Sequence, residues 1–171
     1  MTGREALVFL IALAAASTLF ITTCRADDPR VIHIQGKVVC TDCSKDWNEW
    51  VNGAKPLQGS KVAVICMDNN DRVVYHTMNI TNEEGMFKLI VDRHINGKKL
   101  MVNGCVVKLV SSTHSDCNVL TDFSGGKTGV KLRSPSLVYQ DITEYTIPPF
   151  SFTSPMCDDK DIDKPAQVND D

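Results

Sequence analysis

The sequence of 171 residues has little of what catalysis and nucleic-acid binding usually require. Lys and Arg number 18 against 21 Asp and Glu, with no basic run, so nucleic acid and anionic membrane surfaces are poor partners. The four histidines, His33, His76, His94 and His114, are scattered without a shared spacing. No Gly-x-Ser-x-Gly elbow, His-Glu-x-x-His helix or nucleophilic-cysteine signature is present. No catalytic residue is assigned, and each histidine reads as structural or solvated, His33 and His94 as exposed. Seven prolines form no repeated tract, and only one long apolar run occurs.

That run, residues 7–21, is shorter than the roughly 20 apolar residues a membrane span needs. Arg4 supplies a positive flank, and Cys24-Arg25-Ala26 puts small residues three and one before a cut after Ala26. Residues 1–26 therefore read as a signal peptide, with an uncleaved anchor as the alternative. Without it no stable membrane insertion is expected. Loss of Arg4, Arg25 and Glu5 leaves 16 basic and 20 acidic residues in a mature chain of 145. That length is one domain by size, set at 27–158, followed by an acidic, Pro-broken tail over 159–171.

Six of the seven cysteines, 40, 43, 66, 105, 117 and 157, remain after export. An even set in an oxidising compartment reads as disulfides. Cys40-Thr41-Asp42-Cys43 also fits a redox dithiol or half a zinc site. The first needs a helix N-terminus beside a βαβ unit, which the sequence lacks. The second needs a further ligand pair, for which His114-Ser115-Asp116-Cys117 is the only candidate. Neither metal nor cofactor is expected.

The mature chain alternates with period two nearly throughout. Ile32, Ile34, Val38 and Cys40 share one parity, as do Val62, Val64 and Cys66, then Phe87, Leu89 and Val91, then Cys105, Val107 and Leu109. Residues 72–78 are rich in β-branched and aromatic side chains. Asp68-Asn69-Asn70-Asp71 and Asn82-Glu83-Glu84-Gly85 read as hairpin connections, and Asn96-Gly97, Asn103-Gly104 and Ser124-Gly125-Gly126 as further turns. Pro148-Pro149 makes 139–152 an edge strand or extended cover. The only helical segment is 44–50, with Trp47 and Trp50 on one face. About seven short strands predict an all-β antiparallel sandwich or small barrel. Parity turns Cys66 and Cys105 to the core and favours their pairing, one choice among 15 connectivities.

Gly126-Lys127-Thr128 echoes a phosphate loop but has Thr121 where the leading glycine belongs. Asp68 to Asp71 lacks the alternating ligands of a calcium loop, and Asp158, Asp159, Asp161 and Asp163 read as tail. Asn79-Ile80-Thr81 is the sole Asn-x-Ser/Thr sequon, so Asn79 is the expected glycosylation site.

Gln35-Gly36-Lys37-Val38-Val39-Cys40-Thr41-Asp42-Cys43 resembles the opening signature of the Pollen Ole e I allergen and extensin-like family of plant secreted proteins. Val39 stands where that signature has tyrosine, and Thr41-Asp42 reverses its order inside the cysteine pair. Residues 56–62, the turn over 81–87, the later cysteine spacing and Phe152-Thr153-Ser154-Pro155-Met156-Cys157 also look like this family, over roughly 31–158. The resemblance implies Cys40–Cys117 and Cys43–Cys157 as the remaining disulfides. It further implies an extracellular, often glycosylated β domain of pollen tubes, cell walls, roots or seeds, with no established catalytic residues. The expected function is a non-enzymatic cell-wall glycoprotein module with a wall polysaccharide or wall glycoprotein as partner. Tyr139, Tyr145, Trp47 or Trp50 would stack on sugar if exposed. A small secreted hydrolase or inhibitor is the alternative.

Overall fold

The computed structural model describes residues 29–44 and 52–157. The predicted leader, Trp47 and Trp50 with most of the 44–50 segment, and the acidic tail lie outside the described residues. The strands run β1 (Val31–Thr41), β2 (Lys55–Pro56), β3 (Lys61–Met67), β4 (Val73–Ile80), β5 (Met86–Asp92), β6 (His94–Ile95) and β7 (Lys98–Lys99). They continue as β8 (Cys105–Ser111), β9 (Val119–Leu120), β10 (Val130–Lys131), β11 (Leu137–Tyr139), β12 (Ile142–Thr146) and β13 (Phe150–Thr153). Those of four residues or more number seven: β1, β3, β4, β5, β8, β12 and β13.

Two open sheets carry the fold. One has the order β11-β12-β1-β13-β9, with β5 and β2 also on β1; the other is β10-β8-β3-β4. Both contribute to a single core, which includes Ile32, Ile34 and Val38 from β1, Phe87, Leu89 and Val91 from β5, Val62 and Val64 from β3, and Val107 and Leu109 from β8. In β5 burial alternates without a break, apolar side chains inward and Lys88 and Asp92 outward, which is how a half-buried strand separates its faces.

The larger sheet is mixed rather than wholly antiparallel. The first half of β1 pairs in parallel with β12, from Val31 opposite Ile142 to Gln35 opposite Thr146. Its second half pairs in parallel with β13, from Val38 opposite Phe150 to Thr41 opposite Thr153. The expectation that 139–152 forms an edge or cover is thereby overturned. Each of β12 and β13 has a strand on both sides, and Pro148-Pro149 occupies the step between them, where no amide hydrogen is needed for a ladder.

Gly36 lies opposite this step. A Cβ there would come within 2.7 Å of the Phe87 ring and 3.1 Å of the Ile147 carbonyl. Phe87 in turn stacks on Phe150 at 6.3 Å between ring centroids. The glycine of the opening signature thus makes room for an aromatic pair spanning β5 and β13.

Two smaller expectations also fail. Burial in β1 changes parity after Val38, so Val39 and Thr41 are buried while Cys40 is half-buried. The turn at Asn82 is tight, with the Gly85 amide donating to the Asn82 carbonyl at 2.9 Å. However, it carries the chain from β4 in one sheet to β5 in the other rather than closing a hairpin.

Candidate functional site

Three disulfides fasten the sandwich. Cys66 and Cys105 face each other in register on β3 and β8, with Cα atoms 3.9 Å apart. Cys40 is bonded to Cys117 and Cys43 to Cys157, so two bridges gather at the C-terminal end of β1. The same end is bound by Thr41 donating to the Phe152 carbonyl at 3.2 Å and Thr153 donating to the Thr41 carbonyl at 2.9 Å. The cysteines of the CxxC pair thus take separate partners.

The histidines do not converge. His33 is half-buried, whereas His76, His94 and His114 are exposed, and His114 Nε2 lies 3.1 Å from the Gln58 carbonyl. Among the described residues no group of three His, Cys, Asp or Glu side chains is placed to hold a metal. The loop at Gly126-Lys127-Thr128 is closed by its own chain. The Asp122 carboxylate accepts from the Lys127 amide at 3.1 Å, the Thr128 amide at 2.7 Å and the Thr128 hydroxyl at 2.9 Å. Hydrogen bonds from Thr128, backbone first, hold its carboxyl below the usual range. An internal carboxylate therefore fills the place a phosphate would take.

Among the described residues, an open cleft of about 430 Å³ is lined by Arg93, Lys99, Leu100, Met101, Val102, Asn103, Leu132, Arg133 and Tyr145. Four parts of the fold build it. Arg93 follows β5, and the Leu100 amide donates to its carbonyl at 2.7 Å. Lys99 is presented by the β6–β7 hairpin, whose two-residue Asn96-Gly97 turn has φ of 50° and 75°, the left-handed pair such hairpins favour. Leu132 and Arg133 follow β10, anchored where the Leu132 amide donates to the Cys105 carbonyl at 3.2 Å. Tyr145 belongs to β12.

Three cations and no carboxylate line this cleft, in a chain with a net charge of −3. Burial pushes the Tyr145 hydroxyl above its ordinary pKa, with Arg93 pulling the other way. At neutral pH the tyrosine is thus a neutral donor, and Asn103 adds an amide beside the apolar Leu100, Met101 and Val102. The lining offers positive charge and hydrogen-bond donors but no nucleophile paired with a base. It suits holding an anion that also has an apolar face.

Sequence reasoning missed this site because its cations are remote from one another along the chain. A signal was nonetheless there: residues 93–115 hold four Lys or Arg and no Asp or Glu, and 123–140 hold three and none. Of the two described aromatics considered for sugar stacking, Tyr139 is 61% exposed on β11, whereas Tyr145 is 7% exposed and packs in the core.

No protein-family model matches the chain. It is 31% identical over 115 residues to the pistil-specific extensin-like protein of Nicotiana tabacum, an alignment spanning 67% of this chain but 26% of that protein. It is 26% identical over 100 residues to the major pollen allergen Pla l 1 of Plantago lanceolata, covering 57% of this chain and 69% of the allergen. The crystal structure of Pla l 1 shares the fold, with a TM-score of 0.53 at 22% identity over 80% of this chain and 99% of that one. The chain belongs to the Pollen Ole e I and extensin-like family. A further relative is the non-classical arabinogalactan protein 30 of Arabidopsis thaliana, 23% identical over 135 residues, which cover 74% of this chain and 54% of that protein. In this family member the signature residues Gly36, Cys40 and Cys43 thus have structural tasks: room for Phe87, and two separate bridges at the end of β1.

Proposed function

We propose that this family member is a secreted, non-enzymatic module of the plant extracellular matrix that holds an acidic cell-wall polysaccharide in the cleft of Arg93, Lys99 and Arg133. In that role it would serve wall-associated growth such as that of pollen tubes or root hairs. The cleft carries the reading: three cations, a tyrosine hydroxyl and an amide surround an apolar floor, with no carboxylate among them. A uronic acid offers the complementary surface, with a carboxylate for the guanidinium groups, hydroxyls for the donors, and an apolar ring face. The disulfide framework and the extensin-like, pollen-allergen and arabinogalactan relatives support an extracellular setting.

The test is retention of the purified secreted protein on polygalacturonate compared with a neutral galactan. Retention on the acidic polymer alone is expected, together with its loss in R93Q/K99Q/R133Q when circular dichroism is unchanged. Undiminished retention of that variant, or equal retention on the neutral polymer, would overturn the proposal.

A further inference from the structure

Each sheet has a free edge on the same side of the molecule. β4 ends the smaller sheet, pairing only with β3, and β5 pairs only with β1. The turn at residues 82–85 joins these two edges directly. β4 is also unusually apolar for an edge: Val74, Met78 and Ile80 share its outward parity and are 46%, 51% and 60% exposed, while Val73 near its start is 59% exposed. Ile90 of β5 is likewise 58% exposed. An unprotected apolar edge is a template for pairing with another chain, and neither β4 nor β5 has a proline to block it.

The sole sequon of the chain lies on this edge. Asn79 is exposed near the end of β4, and its Nδ2 reaches across to the Lys88 carbonyl of β5 at 2.6 Å. We infer that Asn79 carries an N-linked glycan whose task is to cover the free edges of β4 and β5 and keep the protein from associating edge to edge. In the transfer, Nδ2 bonds to the anomeric carbon of an oligosaccharide carried on a lipid diphosphate. The carbon–oxygen bond to that diphosphate breaks, the lipid diphosphate departs, and one Nδ2 proton is lost. The second Nδ2 hydrogen stays and can keep the bond to Lys88, so the sugar is added without undoing the contact.

The structure also sets the order of events. Thr81, the hydroxyl member of the sequon, is 3% exposed; its Oγ1 donates to the Leu57 carbonyl at 2.5 Å and accepts from the Ser60 amide at 3.0 Å. A sequon whose hydroxyl is sealed in this way must be modified before β4 docks.

The experiment uses the full chain secreted from plant cells. Intact mass before and after endoglycosidase should show one glycan on Asn79, absent in N79Q, and size-exclusion chromatography should give a monomer. Enzymatic trimming of the folded glycoprotein to one sugar, which leaves every side chain in place, should shift elution to dimers or larger species. V74K/M78K should return the trimmed protein to the monomer. An unglycosylated secreted chain, or a trimmed protein that stays monomeric at the same concentration, overturns the inference. So does association that V74K/M78K leaves unchanged.

Discussion

Gly36 shows how one absent methyl group can organise a core. Its backbone is ordinary extended strand, yet a Cβ would press on the Phe87 ring at 2.7 Å, and that ring is held in turn against Phe150. Overpacking of a filled core typically costs about 1–3 kcal/mol, so Gly36→Ala should lower the unfolding free energy by that amount, seen as a lower urea midpoint at an unchanged denaturant slope. An unchanged midpoint would mean that Phe87 has room to move aside. Asp122 offers a second test through pH. Its folded pKa is held below the unfolded value of about 3.9, so its contribution is complete above the usual carboxylate range and is lost as pH falls through the lowered folded value. Asp122→Ala should therefore be less stable than the parent at neutral pH, and the gap should close under acid. Thermal unfolding of both proteins between neutral and strongly acidic pH reads this directly, and a gap that persists in acid would show that the 122–129 loop does not depend on the ionised carboxylate.

Strand by strand, the connection from Cys43 to Cys157 does the most to hold the mixed sheet together. It closes a separation of 114 residues and fixes the chain after β13 to the end of β1, beside a pairing only four residues long. Replacing both cysteines by serine should cost about 2–5 kcal/mol, the range usual for a native disulfide in a small domain. Hydrogen exchange should then reveal β13 opening before β3 and β8, which retain the Cys66–Cys105 bridge; uniform loss of protection would show the sheets to be inseparable. How much of this could be read in advance depended on the type of pairing. Period-two patterns located β3, β5 and β8 because each has one face in the core, and parity alone favoured the Cys66–Cys105 pairing. Parallel docking of β12 and β13 leaves no local turn in the sequence, and Pro148-Pro149 looked like an obstacle to sheet structure when it is the step between two strands. β4 was visible as a strand from its composition, but its edge position follows from a turn that changes sheets, which residues 82–85 do not encode differently from a hairpin.

Across the whole molecule, charge is arranged against its average. The chain is acidic overall, yet the acid-free stretches at 93–115 and 123–140 are folded onto one cleft that contains Arg93, Lys99 and Arg133. No single-chain charge count shows this, because the fold rather than a basic run makes the cluster. Exposed ion pairs contribute about 0.2–1 kcal/mol each, so losing three cations should weaken binding of an acidic polysaccharide roughly 3- to 140-fold at low salt. The screening length shrinks from about 10 Å at 0.1 M salt to about 3 Å at 1 M. Affinity of the parent protein for polygalacturonate, followed by calorimetry as sodium chloride is raised, should therefore fall steeply and converge on that of R93Q/K99Q/R133Q. Tyr145 is a neutral donor throughout, so changing pH from 5 to 8 should affect binding only through the polymer's own carboxylates. A parent protein that binds as tightly at 1 M salt as at 0.1 M would mean that the apolar floor of Leu100, Met101 and Val102, rather than the cations, selects the ligand.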